Sequence, residues 1–263
     1  MKWPEIPAAA PVSMPGLLAF MERWKPGSTK DFKAASPEQI AALADFYGEQ
    51  EVLPPVYRAF LATMGESLGD FKLMWGTTSI SALLEDLDDR ERERPNRSQY
   101  LKFAIGEDDY NGRHPDDYFD LTRRTPDGAD AQILRIHERH LRHGEAKAKR
   151  PFPTFSDLLR RVTVSRVAFD TKSTSPPYFD LGRRLDVLAR AYALLDKLGF
   201  MRTELGASTS AIPLENHGRG AIAMLTGPTE VLDGSLRLRA RDDAEERRLV
   251  EIIEDHKSAL LGP

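Results

Sequence analysis

A chain of 263 residues with a net charge of −4 and 30% charged residues is long enough for one good core or two modest ones, and is not built to wrap nucleic acid. It has no cysteine, which excludes disulfides, thiolate zinc sites, iron–sulfur clusters and thiol nucleophiles, and fits a reducing cytoplasm. No stretch approaches the ~20 apolar residues of a membrane span, and MKWPEIPAAAPVSMPG lacks the apolar run of a signal peptide, so a cytoplasmic protein with no membrane contact is expected.

Pro4, Pro7, Pro11 and Pro15 make residues 1–15 an irregular arm. GLLAFMERW (16–24) reads as a short helix, and the arm with this helix fills residues 1–35. SPEQIAALADFYG then carries Ser36 as N-cap, Pro37 at the first helical position and Gln39 three residues on, a capping box. Ile40, Leu43, Ala44 and Tyr47 follow at helical spacing, and Gly48 is the stop. LPPVYRAFLATMG predicts a second helix, opened by Pro54 and Pro55, with Tyr57, Phe60, Leu61 and Met64 on one face.

The period then changes to two. DFKLMW, YLKFAIG, DYFDL and ILRIH predict four short strands with polar connections, and ISALLEDLDDRERERPNR a charged helix or loop. PTFSDLLRRV closes the unit as a helix capped by Thr154, with Phe155, Leu158, Leu159 and Val162 inward. Helices against an antiparallel-rich sheet make residues 36–168 an α+β domain.

DTKSTSPPYFDLG predicts a linker over 169–182. Residues 183–263 predict a small α-β-β-β-α accessory unit. Its helix carries Leu185, Leu188, Tyr192 and Leu195. Its strands are FMRTELGAS, GAIAMLT and SLRLRAR. Its final helix opens on an Asp242–Glu245 capping box, with a face of Leu249, Ile252, Ile253, His256 and Leu260.

ILRIHERHLRH raises a metal reading: His137, His140 and His143, with Glu138 among them, would serve a metal-dependent hydrolase. The spacing opposes it. A helical zinc pair usually sits at i, i+4, whereas these histidines fall at intervals of three, in a strand end and basic loop. There is no nucleophile elbow and no phosphate-binding glycine loop, and NHGRGA reads as a turn before a strand. The acidic stretch GEDDYNGRHPDDYFDL lacks the EF-hand spacing for calcium. It reads as a solvated hairpin loop, and as the face for a basic protein partner through Glu107, Asp108, Asp109, Tyr110, Asp116 and Asp117. No catalytic residue, metal ligand or cofactor site is expected.

In order and spacing these pieces resemble the SUKH superfamily of yeast cell-wall-assembly regulators and bacterial toxin-immunity proteins. The resemblance rests on Leu53, Pro54, Tyr57, Phe60, Leu61 and Gly65, on the Tyr118–Phe119–Asp120–Leu121 strand, on His137 and Glu138 at a strand end, and on Phe155, Leu158 and Leu159. It spans residues 36–165 and leaves 183–263 outside. It implies binding rather than catalysis: a bacterial immunity protein that neutralises a cognate protein toxin, such as a nuclease. A regulatory scaffold with the C-terminal unit as a second docking module is the other non-enzymatic reading.

Overall fold

The computed structural model describes residues 11–48, 52–73, 76–87, 98–109, 112–113, 115–137, 140, 149, 151–208, 210–227 and 233–261. The fold is α+β, as expected. The chain divides into two compact units, Gly27–Leu159 and Met1–Pro26 with Arg160–Pro263. The expected boundaries were 36–168 and 183–263. The observed division instead falls inside the closing helix and returns the N-terminal helix, α1 (Met14–Trp24), to the C-terminal unit.

In the Gly27–Leu159 unit, α2 (Pro37–Tyr47) starts on the predicted capping box: Gln39 N donates to Ser36 Oγ at 3.2 Å, and Ser36 N to Gln39 Oε1 at 2.8 Å. It ends at Gly48, whose φ of 117° a side chain would oppose. Next come α3 (Pro55–Met64) and α4 (Ile80–Asp86). Two short strands, β1 (Phe32–Lys33) and β2 (Ser67–Leu68), pair with each other. The main sheet is antiparallel in the order β3 (Gly76–Thr77), β4 (Tyr100–Gly106), β7 (Asp116–Arg124), β8 (Ala131–Ile136). A separate hairpin joins β5 (Asp108–Asp109) to β6 (Gly112–Arg113).

The register places Leu101 opposite Phe119 and Phe119 opposite Ile133. On this face Tyr57 and Phe60 of α3 meet Phe103, Phe119 and Phe155. Their ring centroids lie 4.7–6.2 Å apart, mostly tilted or edge-to-face, the arrangement that ring quadrupoles favour. Phe155 opens α5 (Phe155–Thr163). Its first three N–H groups are all satisfied: Phe155 N and Ser156 N donate to the buried Asp130 carboxylate at 3.1 and 2.8 Å, and Asp157 N to Thr154 Oγ1 at 3.1 Å.

DFKLMW was expected to be a strand. Phe71 and Leu73 are buried, yet residues 71–73 have no ladder, and Met74 and Trp75 lie outside the described residues. The charged segment 88–97 lies outside them too.

The other unit holds a five-stranded antiparallel sheet, in the order β10 (Met201–Arg202), β11 (Ile212–Asn216), β12 (Ala221–Thr226), β13 (Gly234–Ala240), β9 (Tyr178–Gly182). Its core joins Leu214, Ala223, Leu225, Leu236 and Leu238 to α6 (Leu185–Lys197) and α7 (Asp243–Asp255). The short α8 (Lys257–Leu261) follows.

The unit differs from the expectation in four places. The 169–182 linker holds a 3-10 turn (Phe169–Thr171) and the edge strand β9. The α-β-β-β-α unit gains β9 and β11. The inward face of α6 is Val187, Leu188, Ala191 and Leu195, with Leu185 57% exposed at the helix start. The final helix breaks at His256, which is exposed.

α1 begins where Ser13 Oγ accepts from Gly16 N. Its far end is fixed by Glu215 of β11, a buried carboxylate that accepts from Trp24 Nε1 at 2.9 Å and from Arg23 Nε and Nη2 at 3.0 and 2.8 Å. Arg241 lies over the Trp24 ring at 5.0 Å and donates to the Arg23 carbonyl at 2.6 Å.

Candidate functional site

Of the six predicted contact residues, Glu107 is exposed just past the end of β4. Asp108 and Asp109 form β5 and pair with Arg113 and Gly112. Tyr110 lies outside the described residues. Asp116 and Asp117 are not on a solvated loop: they open β7 and are 2% and 4% exposed. Being consecutive strand residues, they point to opposite faces, and each is committed to an internal cation.

On one face Asp116 Oδ1 accepts from Gly106 N at 2.9 Å, and Oδ2 lies 3.4 Å from both Tyr118 Oη and Lys102 Nζ. Lys102 is 1% exposed. Its ammonium donates to Asp86 at the end of α4 at 2.7 Å and lies 5.7 Å from the centre of the Tyr118 ring. A buried ammonium requires such partners, because desolvation of an isolated charge is costly.

On the other face Arg135 of β8 holds Asp117 side-on, Nε to Oδ1 at 2.9 Å and Nη2 to Oδ2 at 3.3 Å. Burial pushes the Asp117 carboxyl up to about 6; Arg135 opposes that rise and the neighbouring Asp116 adds to it. Asp117 and Arg135 line a pocket of about 280 Å³ together with Gly76, Ala104, Ile105, Gly106, Pro115 and Lys149. A second pocket of about 240 Å³ lies between Glu66, Lys72, Thr78 and Glu107.

The His137 and His140 rings meet edge-to-face at 5.8 Å. His143 and Glu138 lie outside the described residues. Among the described residues no group of three or more His, Asp or Glu is placed to hold a metal ion, and no helix is long and apolar enough to cross a membrane.

Sequence reasoning missed the cations Lys102 and Arg135. A signal existed for the first: Lys102 stands alone in YLKFAIG, where a strand buried on both faces demands a carboxylate for it. No family model matches the sequence, and no curated protein or solved structure is significantly similar to it.

Proposed function

We propose that this chain is a non-enzymatic protein-binding protein, a bacterial immunity protein of the SUKH type that neutralises a cognate toxin in the cytoplasm by covering a surface. One observation carries the reading. The residues behind the resemblance are scattered from Leu53 to Leu159, yet Tyr57, Phe60, Phe119 and Phe155 pack as one aromatic core within a single unit.

The contact face is then narrower than the sequence implies. Glu107 and the acidic β5–β6 hairpin are its centre, and Asp116 and Asp117 support it from inside. Acidic groups here favour a basic partner, and rim charges act mainly on the association rate.

The test is coexpression with a toxin encoded beside this gene, followed by binding of the purified pair. Rescue of growth and a stable complex are expected, with slower association for Glu107→Lys. A purified neighbouring toxin that is neither bound nor inhibited removes the reading for that pair.

A further inference from the structure

The five-stranded sheet ends on β9, which among the described residues pairs with β13 alone. Leu238 N donates to the Pro177 carbonyl at 3.1 Å, so Pro177 and Phe179 turn their backbone groups toward β13. Successive residues of an antiparallel strand alternate in this respect, so the N–H and C=O of Tyr178 and Asp180 point outward. No described segment pairs with that side, and both residues are exposed, Tyr178 at 54%. An open edge of this kind is a template for another strand.

The edge is narrowly bounded. Pro176 has no N–H to offer. The register shift at Gly234 and Ser235 ends the regular pairing after Asp180, and Gly182 N is taken by Asp180 Oδ1 at 2.9 Å. Between Pro176 and Gly182, Tyr178 and Asp180 alone combine a free outward donor with an outward acceptor. A second copy of the same edge matches this pattern. With the two strands antiparallel about a two-fold axis at Phe179, Tyr178 faces Asp180 of the second copy, and each facing pair exchanges two hydrogen bonds. A shift of register in either direction sets one of them against Pro176 or against the occupied Gly182.

The side chains agree with that register. Phe179 points into the core, which leaves Tyr178 and Asp180 on the other face. Arg237 of β13 stands opposite Tyr178, exposed, with its guanidinium 5.6 Å from the ring centre. Arg237 and Asp180 have no ion-pair partner among the described residues. In the two-fold register Arg237, Tyr178 and the second copy's Asp180 fall in one row across three strands spaced ~4.8 Å apart. Guanidinium and carboxylate then meet over the tyrosine ring, once on each side of the axis.

We propose that two copies of this chain associate through β9, edge to edge about a two-fold axis at Phe179, and join their five-stranded sheets into one continuous antiparallel sheet. The pairing stands whether or not the chain neutralises a toxin. So short an edge buries less than the ~1,200 Å² at which stable interfaces begin, so the dimer is weak and forms as concentration rises.

The test is sedimentation of the full-length protein from about 10 µM to about 1 mM, the range that an interface of this size calls for, with amide exchange followed in parallel. A monomer–dimer equilibrium is expected. Exchange at Tyr178 and Asp180 should slow as the dimer forms, with Arg202 on the opposite edge unchanged. Asp180→Arg and Arg237→Asp each set like charges across the interface and should weaken the dimer by about tenfold or more. The double variant restores the opposite signs and should dimerise more tightly than either single variant. Both side chains are exposed, so the urea midpoints of all three variants should stay near that of the parent.

A chain that remains monomeric to about 1 mM overturns the proposal. So does a dimer that leaves the Tyr178 and Asp180 amides unchanged, or a double variant no better than the single ones. Growth beyond the dimer, the mark of β9 pairing head-to-tail with β10, overturns the two-fold register. Slowed exchange at Tyr178 and Asp180 only when another protein is added gives the edge to that protein and overturns self-pairing.

Discussion

Replacement of Asp130 by Ala should unlatch the closing helix. The carboxylate sits just before β8 and reaches across the chain to accept from Ala131 N at 2.7 Å, Phe155 N at 3.1 Å and Ser156 N at 2.8 Å. Two of these are the leading N–H groups of α5, at the positive end of the helix dipole. Hydrogen bonds to a charged acceptor contribute roughly 1.5–3 kcal/mol each, and a buried donor left without a partner costs about 1–3 kcal/mol. Burial raises the Asp130 carboxyl's proton affinity against the pull of its hydrogen bonds, so desolvation consumes part of the gross gain. The expected net loss for Asp130→Ala is therefore about 3–5 kcal/mol, not the full sum of three bonds. Asp130→Asn keeps one acceptor oxygen and should lose about half as much. Urea unfolding gives the total, and amide exchange locates it: Phe155 and Ser156 should lose protection first. A loss under about 1 kcal/mol with both amides still protected would refute the assignment of Asp130 as the latch.

Tyr57→Phe should hold or raise stability by up to about 1 kcal/mol, since the buried Tyr57 hydroxyl has no hydrogen-bond partner and its burial pushes the phenol's pKa up; a fall in the urea midpoint would count against that. Gly76→Ala drives a Cβ into the backbone carbonyl of Ile105, so about 2 kcal/mol or more should be lost and the β3–β4 pairing opened, visible as faster exchange at Thr77. The pH dependence has a definite sign. Asp117 has a folded value of about 6 against about 3.9 unfolded, so its contribution to stability is fully present below pH 4 and is lost as pH rises through 6. The span is worth about 3 kcal/mol. Asp117→Asn should flatten that part of the stability–pH curve; an unchanged curve sinks the claim.

Caps and helical periods were legible because they are local. Ser36 with Gln39, Thr154 with Asp157, and Asp242 with Glu245 each need only three residues to act. Strand existence was legible for β4, β7 and β8, but not what alternation means there. Alternation singles out Leu101 and Phe103 in β4, yet Tyr100, Lys102 and Ala104 are as buried as they are, because the sheet is covered on both sides. The acidic loop failed for the same reason. Charge in a sequence reads as solvent, and only the partners Lys102 and Arg135, brought in from other strands, make Asp116 and Asp117 interior groups.

Two strands outside the predicted set, β9 and β11, follow or contain a proline. SPPYFDLG reads as a linker, and AIPLEN is not among the predicted strands; proline cannot donate to a ladder. Pro177 precedes β9 and needs no donor: its carbonyl accepts from Leu238 N at 3.1 Å. Pro213 lies within β11, but its carbonyl accepts from Thr203 N at 3.3 Å, beyond the two residues of β10. In an extended strand N–H and C=O of one residue share a side, so the missing donor of Pro213 faces that short edge and leaves the β12 ladder whole. Proline therefore marks where a ladder stops on one side of a strand. It does not say whether the other side is paired, and that depends on a partner elsewhere in the chain.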